Sequence, residues 1–247
     1  MTEVRDRVAQ ICSAVPDSVV IADIDTGYGN ALNVHRSVEE FARIGVAALQ
    51  LEDQVTPKKC GHYAGKDLIS TAEMQAKITS AKEALGNAPV SLIARTDAIA
   101  VEGLGAALDR ARRYQDAGAD VLFVEAPETV EHIEQIADVL RGSTLLLNMF
   151  EGGNTPRVAL TRLAELGYKI VIIPSDLQRA ALRAMTDTAT AIARDGDSHV
   201  LAGQLATFTE RDIVVDKPAW DEREHRAAAG IQAAMAHADS GSGMCDL

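Results

Sequence analysis

Residues 46–62 read Val46-Ala47-Ala48-Leu49-Gln50-Leu51-Glu52-Asp53-Gln54-Val55-Thr56-Pro57-Lys58-Lys59-Cys60-Gly61-His62. A short apolar run of strand character stops at two acids and opens into a loop carrying two lysines, a cysteine and a histidine. The layout recurs upstream, where the apolar run 19–22 gives way to Asp23-Ile24-Asp25-Thr26-Gly27-Tyr28-Gly29-Asn30. Further runs at 90–94, 121–124, 145–147 and 170–173 lead into Arg95 and Asp97, Glu125, Asn148 and Ser175. Amphipathic stretches near 33–44, 71–85, 103–117, 129–141 and 156–166 separate these runs, several closed by Gly45, Gly86, Gly118, Gly142 or Gly167 at the helix C-cap position. This is a repeated β/α unit, which builds a parallel sheet. Six successive strands ending in polar residues favour a barrel mouth over the single crevice of a doubly wound sheet, because the carboxyl ends of parallel strands form the active face.

The expected fold class is therefore α/β, of the (β/α)8 TIM-barrel type. About six of the eight units are found. Residues 3–15 read as a helix that should follow an earlier strand, so the barrel is expected to be incomplete at its N-terminal side. A helix should run from Asp176 to about 193, and another from about Trp220 to His237, with Asp239-Ser240-Gly241-Ser242-Gly243 as a flexible end. The expected division is a partial barrel over 1–198 and a C-terminal helical extension and tail over 199–247.

The 247-residue length and 47% hydrophobic content suffice for a large core. A net charge of −12 argues against nucleic acid and anionic membranes as partners, since both need a basic face. An anionic substrate must then be met by a local cation. No segment approaches the roughly 18 apolar residues of a membrane span, and no secretory signal is read. Cys12, Cys60 and Cys245 form no Cys-x-x-Cys pair, so reduced thiols in a cytoplasmic protein are expected.

Asp23 and Asp25 lie two apart at a strand end and face one side in an extended chain. With Glu52 from the next strand they suit Mg²⁺, a hard cation held by one or two carboxylates, waters and substrate oxygens. Turn or cap chemistry at Asp25-Thr26-Gly27 is the structural alternative. Gly27-Tyr28-Gly29-Asn30-Ala31-Leu32 imitates a dinucleotide fingerprint, but Leu32 stands where its third glycine belongs. Cys60 follows Lys58 and Lys59 and precedes Gly61 and His62, an electropositive setting for a proton donor or nucleophile on a lid-like loop. A loop cysteine without a role is the alternative. Arg95 at the mouth can clamp a carboxylate or pair with Glu52 or Glu125. Glu125 and Asn148 can orient substrate; a structural ion pair with arginine serves Glu125 equally well.

Asp23-Ile24-Asp25-Thr26-Gly27-Tyr28-Gly29, Glu52-Asp53-Gln54, Lys58-Lys59-Cys60-Gly61-His62, Ala94-Arg95-Thr96-Asp97-Ala98 and Ala117-Gly118-Ala119-Asp120 fall in an order that resembles the isocitrate lyase/phosphoenolpyruvate mutase superfamily. The likeness spans roughly residues 18–175. It implies a Mg²⁺ enzyme on a (β/α)8 barrel that forms homo-oligomers, dimers or tetramers, by exchange of C-terminal helices. By the same resemblance Asp25 ligates the metal, and Asp23 and Glu52 hold its waters. Arg95 grips a substrate carboxylate, and Cys60 is the general acid on a closing loop. Gly61 and His62, beside it in sequence, are further candidates for contact with the substrate. The implied activity is carbon–carbon cleavage of a small 2-hydroxy di- or tricarboxylate of the 2-methylisocitrate or 2,3-dimethylmalate type. A carboxyphosphoenolpyruvate-type phosphonomutase and a degenerate non-catalytic subunit are the alternatives. Members of the superfamily begin with two further β/α units, which are not recognised in this sequence.

Overall fold

The computed structural model describes residues 1–60 and 65–241. Two compact units divide the chain, Met1–Leu177 and Gln178–Leu247. The first carries six parallel strands hydrogen-bonded in chain order: β1 (Ile21–Asp23), β2 (Ala48–Glu52), β3 (Ser91–Thr96), β4 (Val121–Val124), β5 (Thr144–Asn148) and β6 (Tyr168–Ile172). Helix α1 (Thr2–Ala14) precedes the sheet, and α2 (Ala31–Ala42), α3 (Thr71–Leu85), the short α4 (Ile99–Glu102) with α5 (Leu104–Asp116), α6 (Val130–Val139) and α7 (Leu160–Leu166) link its strands. The result is the expected incomplete (β/α) barrel of six units.

Strand alternation decides where everything goes, because neighbouring residues point to opposite faces. Leu49 and Leu51, Leu92 and Ala94, Leu122 and Val124, and Leu145 and Leu147 join the large core beneath the helices, with Val34, Val38, Phe41, Met74 and Ile78 from α2 and α3. Their partners in alternation, Ala48, Ile93, Val121, Phe123 and Leu146, form a separate small cluster on the other face, with Ile170 and Ile172 against it. The same parity carries Asp23, Glu52, Arg95, Glu125 and Asn148 onto that inner face at the strand ends. Fully burying each large aliphatic side chain contributes roughly 1.5–3 kcal/mol.

Helix starts follow the expected chemistry. Asn30 caps α2 by accepting from Leu32 N and Asn33 N, while Asn33 Oδ1 accepts from Asn30 N at 3.2 Å. Ser70 and Thr129 cap α3 and α6. Gly45, Gly86, Gly118, Gly142 and Gly167 all adopt positive φ, as read from the sequence. One helix begins later than the sequence suggests: residues 156–159 are not helical, Val158 packs on the core and Arg157 pairs with Glu151 at 2.6 Å.

The second unit holds most of α8 (Asp176–Asp195), a 3₁₀ turn (His199–Gln204), α9 (Phe208–Val214) and α10 (Lys217–Gly241). Helix α10 starts before Trp220 and extends into the segment expected to be a flexible end. The alanine-rich run 227–236 favours its propagation. Ser242 and Gly243 lie outside the described residues.

Gly27 sits at φ +84 with its hypothetical Cβ 2.3 Å from Val34 Cγ2, whereas Gly45 has φ +87 and open space around it. Both substitutions to alanine incur about 1–2 kcal/mol of left-handed strain. Gly27→Ala adds a clash with the core, so urea denaturation should show it destabilised by at least about 1 kcal/mol more than Gly45→Ala. Equal losses would mean that the chain at Gly27 yields freely.

Candidate functional site at the carboxyl ends of the strands

Lys58 lies in the loop after β2, and its ammonium reaches three carboxylates. Nζ stands 2.7 Å from Asp25 Oδ1, 3.3 Å from Asp23 Oδ2 and 3.5 Å from Glu52 Oε2. Asp23 ends β1, Asp25 follows it in a left-handed conformation at φ 52, and Glu52 ends β2. Asp23 Oδ1 accepts from Asp25 N at 2.8 Å, which holds the turn together. The site continues from Glu52. Arg95 Nε lies 3.6 Å from Glu52 Oε2, Arg95 Nη1 3.7 Å from Glu125 Oε2, and Asn148 Nδ2 donates to Glu125 Oε1 at 3.3 Å. Seven of the ten residues singled out in the sequence thus form one connected chain along the inner mouth.

The other three are placed differently. Cys60 is exposed on its loop as a free thiol, with no bond to the carboxylates among the described residues. Gly61 and His62 lie outside the described residues. The two lysines expected beside the thiol turn elsewhere: Lys58 to the acids, and Lys59 Nζ to the Gly65 carbonyl. Gln54 brackets this loop from within, donating to Lys59 O at 3.0 Å and accepting from Lys59 N at 2.9 Å. Val55 N–Asp67 O and Ile69 N–Asp53 O bonds, with an antiparallel bridge between Gln54 and Leu68, close the loop's base.

Beneath the mouth lies a polar layer that pattern reading did not find. Asp53 points away from the inner face and is fully buried; it accepts from Thr96 Oγ1 and Tyr114 Oη at 2.7 Å each and from Asp97 N at 3.0 Å. Arg110, paired with Glu102, comes within 3.4 Å of the same carboxylate. Asp97 accepts both Arg95 Nε at 2.9 Å and Arg95 Nη2 at 3.1 Å, and also Lys66 Nζ at 2.8 Å. Arg95 is therefore gripped bidentately by Asp97 and stacked 5.1 Å from the Phe123 ring centroid. The available signal was the acid doublet Glu52-Asp53, whose second member must face the helices and find donors there.

The electrostatics follow from burial. Desolvation pushes the Glu52 carboxyl up to about 7, with Arg95 and Lys58 opposing the rise. Its Oε1 is buried without a hydrogen-bond partner, as is Asn148 Oδ1. Asp97 is held below the ordinary carboxylate range against its own desolvation by Arg95 and Lys66. Lys58 is driven above the usual lysine range by its carboxylates, again against its own desolvation. Non-glycine residues with positive φ follow three strand ends, namely Asp25, Ala126 and Ser175. Such backbone strain clusters where function fixes geometry.

Among the described residues no three histidine, cysteine or acidic side chains close around one point as direct ligands. The donor set still fits a hard dication. All its members are carboxylates, they already converge on one cationic atom, and Glu52 keeps an unpartnered oxygen. Mg²⁺ retains several waters and uses only one or two protein carboxylates directly.

A family profile described as phosphoenolpyruvate phosphomutase matches residues 1–193. The chain is 42% identical over 232 residues to 2,3-dimethylmalate lyase of Eubacterium barkeri, covering 93% of this chain and 79% of that one. It is 38% identical to the chloroplastic carboxyvinyl-carboxyphosphonate phosphorylmutase of Arabidopsis thaliana, with 91% and 67% covered. It is 40% identical to 2-methylisocitrate lyase of Aeropyrum pernix, with 91% and 72% covered. A crystal structure of 2,3-dimethylmalate lyase superposes with a TM-score of 0.84 at 35% identity, over 100% of this chain and 79% of that one. Phosphonopyruvate hydrolase in complex with oxalate and Mg²⁺ superposes with a TM-score of 0.78 at 30% identity, over 93% and 78%. The chain belongs to the isocitrate lyase/phosphoenolpyruvate mutase superfamily, whose members include close lyase relatives of this protein.

The raised Glu52 carboxyl makes stability depend on pH in a definite direction. Between about 4.5 and about 7 the folded protein keeps a proton that the unfolded chain has lost, so stability falls as pH rises through that window. Glu52→Gln removes this contribution, worth up to about 3 kcal/mol at 1.36 kcal/mol per unit. Urea melts without divalent metal should show the variant gaining on wild type from about pH 5 to about pH 8. A constant difference would place the Glu52 pKa near its ordinary value.

Proposed function

We propose that this chain is a Mg²⁺-dependent carbon–carbon lyase that cleaves a small 2-hydroxy di- or tricarboxylate, of the 2-methylisocitrate or 2,3-dimethylmalate type, to a 2-oxo acid and a carboxylate. One observation carries the reading: three carboxylates from adjacent strand ends share a single cation beside a buried arginine. Two close relatives named as lyases agree with it. Asp25 would ligate the metal, with Asp23 and Glu52 holding its waters. Bound there, Mg²⁺ supplies Lewis-acid stabilisation of the substrate oxygen that becomes the carbonyl.

The protein's own groups do the rest. Arg95, fixed by Asp97, presents charge toward a substrate carboxylate, and Glu125 with Asn148 orients the bound acid. The hydroxyl passes its proton to a water at the site, its O–H electron pair forms the carbonyl, and the bond between the carbinol carbon and the neighbouring carbon breaks. The electron pair stays on the departing fragment next to its carboxylate, and Cys60 Sγ–H protonates that carbon. Gly61 and His62 belong to the same loop in this reading, with Lys58 two residues before the thiol.

The second unit favours a homo-oligomer. Phe208, Ile213, Val214, Trp220 and Met235 are all more than 60% exposed, a degree of apolar exposure expected of an interaction surface. We read the enzyme as cytoplasmic, with Cys12 and Cys60 as free thiols. No helix of the described residues is long and apolar enough to cross a membrane. Light scattering should give a dimer or tetramer; a monomer at all workable concentrations defeats this part.

Two measurements test the chemistry. Calorimetric titration should show Mg²⁺ binding that Asp25→Ala abolishes, and equal affinity in both proteins would remove the site. Incubation with Mg²⁺ and a panel of 2-hydroxy acids should release a 2-oxo acid captured by a hydrazine reagent. Cys60→Ser should lower that turnover by about 10²–10⁴-fold with Mg²⁺ affinity retained, the usual worth of a general acid. A new carbon–phosphorus resonance in ³¹P NMR with phosphoenolpyruvate analogues would instead support the phosphonomutase reading. No turnover of either kind would support a non-catalytic subunit.

A further inference from the structure

Lys77 lies on the buried face of α3 with Met74, Ile78, Ala81 and Leu85, and is itself only 3% exposed. Its ammonium donates to the carbonyl of Thr26 at 3.0 Å, a backbone oxygen rather than a carboxylate. Burial pulls that ammonium below the ordinary lysine range, with the charge of Glu73 opposing the fall. A buried cation is costly where a neutral donor could satisfy the same oxygen. Packing alone therefore does not account for a lysine at this position.

The acceptor stands at a critical point of the chain. Thr26 follows Asp25 directly and is buried. Each carbonyl of this turn is held by a different group: Ile24 O accepts from Gly27 N at 2.9 Å, Asp25 O from Glu52 N at 2.9 Å, and Thr26 O from Lys77. Asp25 N is tied to the Asp23 carboxylate at 2.8 Å. Of these bonds, the one to Lys77 comes from a helix, and the others come from the turn itself and from β2. Asp25 sits at φ 52 and Gly27 at φ 84. A left-handed aspartate persists only where its surroundings over-determine it.

We propose that Lys77 is a positioning residue for the Mg²⁺ site: by holding the Thr26 carbonyl from behind, it keeps the Asp25 carboxylate in the conformation that binds the metal. The inference rests on the proposed function, in which Asp25 is the direct ligand. Lys77 touches neither metal nor substrate. Without its ammonium the Thr26 carbonyl loses its donor, and the peptide after Asp25 rotates toward another. Asp25 then relaxes out of its left-handed conformation, and metal binding must restore it, which lowers affinity.

Ser80 supplies a comparison on the same helix. About one turn further along α3 its Oγ donates to Ala31 O at 2.9 Å, at the start of α2. That bond also joins α3 to the chain after β1, but it does so beyond the turn that carries Asp25.

If loss of Lys77 leaves the metal-competent turn populated about one-tenth of the time, Mg²⁺ binding weakens about ten-fold. The experiment titrates Mg²⁺ calorimetrically into wild type, Lys77→Met and Ser80→Ala, and measures the metal-free Tm of each. Both variants should melt below wild type, and only Lys77→Met should bind Mg²⁺ about ten-fold more weakly. Unchanged Mg²⁺ affinity in a folded Lys77→Met overturns the proposal. So does an equal loss in Ser80→Ala, which would make the effect a general loosening of α3. If Lys77→Met does not fold, Lys77→Gln takes its place, with a neutral side chain one atom shorter and the same expected loss. Should neither fold, Lys77 is a requirement of the fold and the proposal falls. Absence of Mg²⁺ binding to wild type removes the metal site itself, and with it the reading on which Lys77 depends.

Discussion

The mouth of this barrel depends on a carboxylate that never reaches it. Asp53 is fully buried on the helix side of β2 and collects Thr96, Tyr114 and the backbone N–H of Asp97, with the Arg110 guanidinium alongside. The bond to Asp97 N fixes the chain where β3 ends, and Asp97 in turn grips Arg95 through two nitrogens. Arg95 then stands between Glu52 and Glu125. Placement of the guanidinium thus passes through two buried acids, each satisfied by donors from a different element. An isolated buried carboxylate would be intolerable; a network with every member satisfied rigidifies what it touches.

The inner face tells the opposite story, because there satisfaction is left incomplete. Glu52 retains a buried oxygen without a donor and a carboxyl pushed up to about 7, and Asn148 retains an unpartnered oxygen. Left-handed non-glycine residues follow β1, β4 and β6 at this end of the sheet. Unmet polar groups and backbone strain both reduce stability, and several of both lie at this rim, while the Asp53 carboxylate behind it is bonded on every side. That asymmetry is what a binding site requires: its deficits are to be met by a ligand, and its rigidity comes from behind.

Much of this was legible because a parallel strand buried on both faces leaves a strong apolar signature and a polar residue at its end marks the mouth. Alternation then placed Asp23, Glu52, Arg95, Glu125 and Asn148 on one face, and the glycines after the helices took the conformations expected of them. The layer behind was not legible. Tyr114 and Arg110 sit four apart on α5 among residues that also read as an ordinary amphipathic face, and their partner Asp53 comes from 57 to 61 positions away. Nothing in local periodicity reports so distant a pairing. The direction of the lysines was equally hidden, since adjacency to Cys60 in sequence suggested a shared microenvironment that the side chains do not create.

The two adjacent lysines divide the loop's attachments between them. Lys59, through its backbone and its ammonium, ties the loop to itself, by way of Gln54 and Gly65. Lys58 ties the same loop to the strand ends. A loop held only internally would keep its shape but drift relative to the site, and one held only externally would lose its shape whenever the tether let go. The external tether is a cation among carboxylates, which offsets part of the repulsion among Asp23, Asp25 and Glu52. The acidic cluster is therefore at once the candidate metal site and the external anchor of Lys58, and it draws its members from the ends of two adjacent strands.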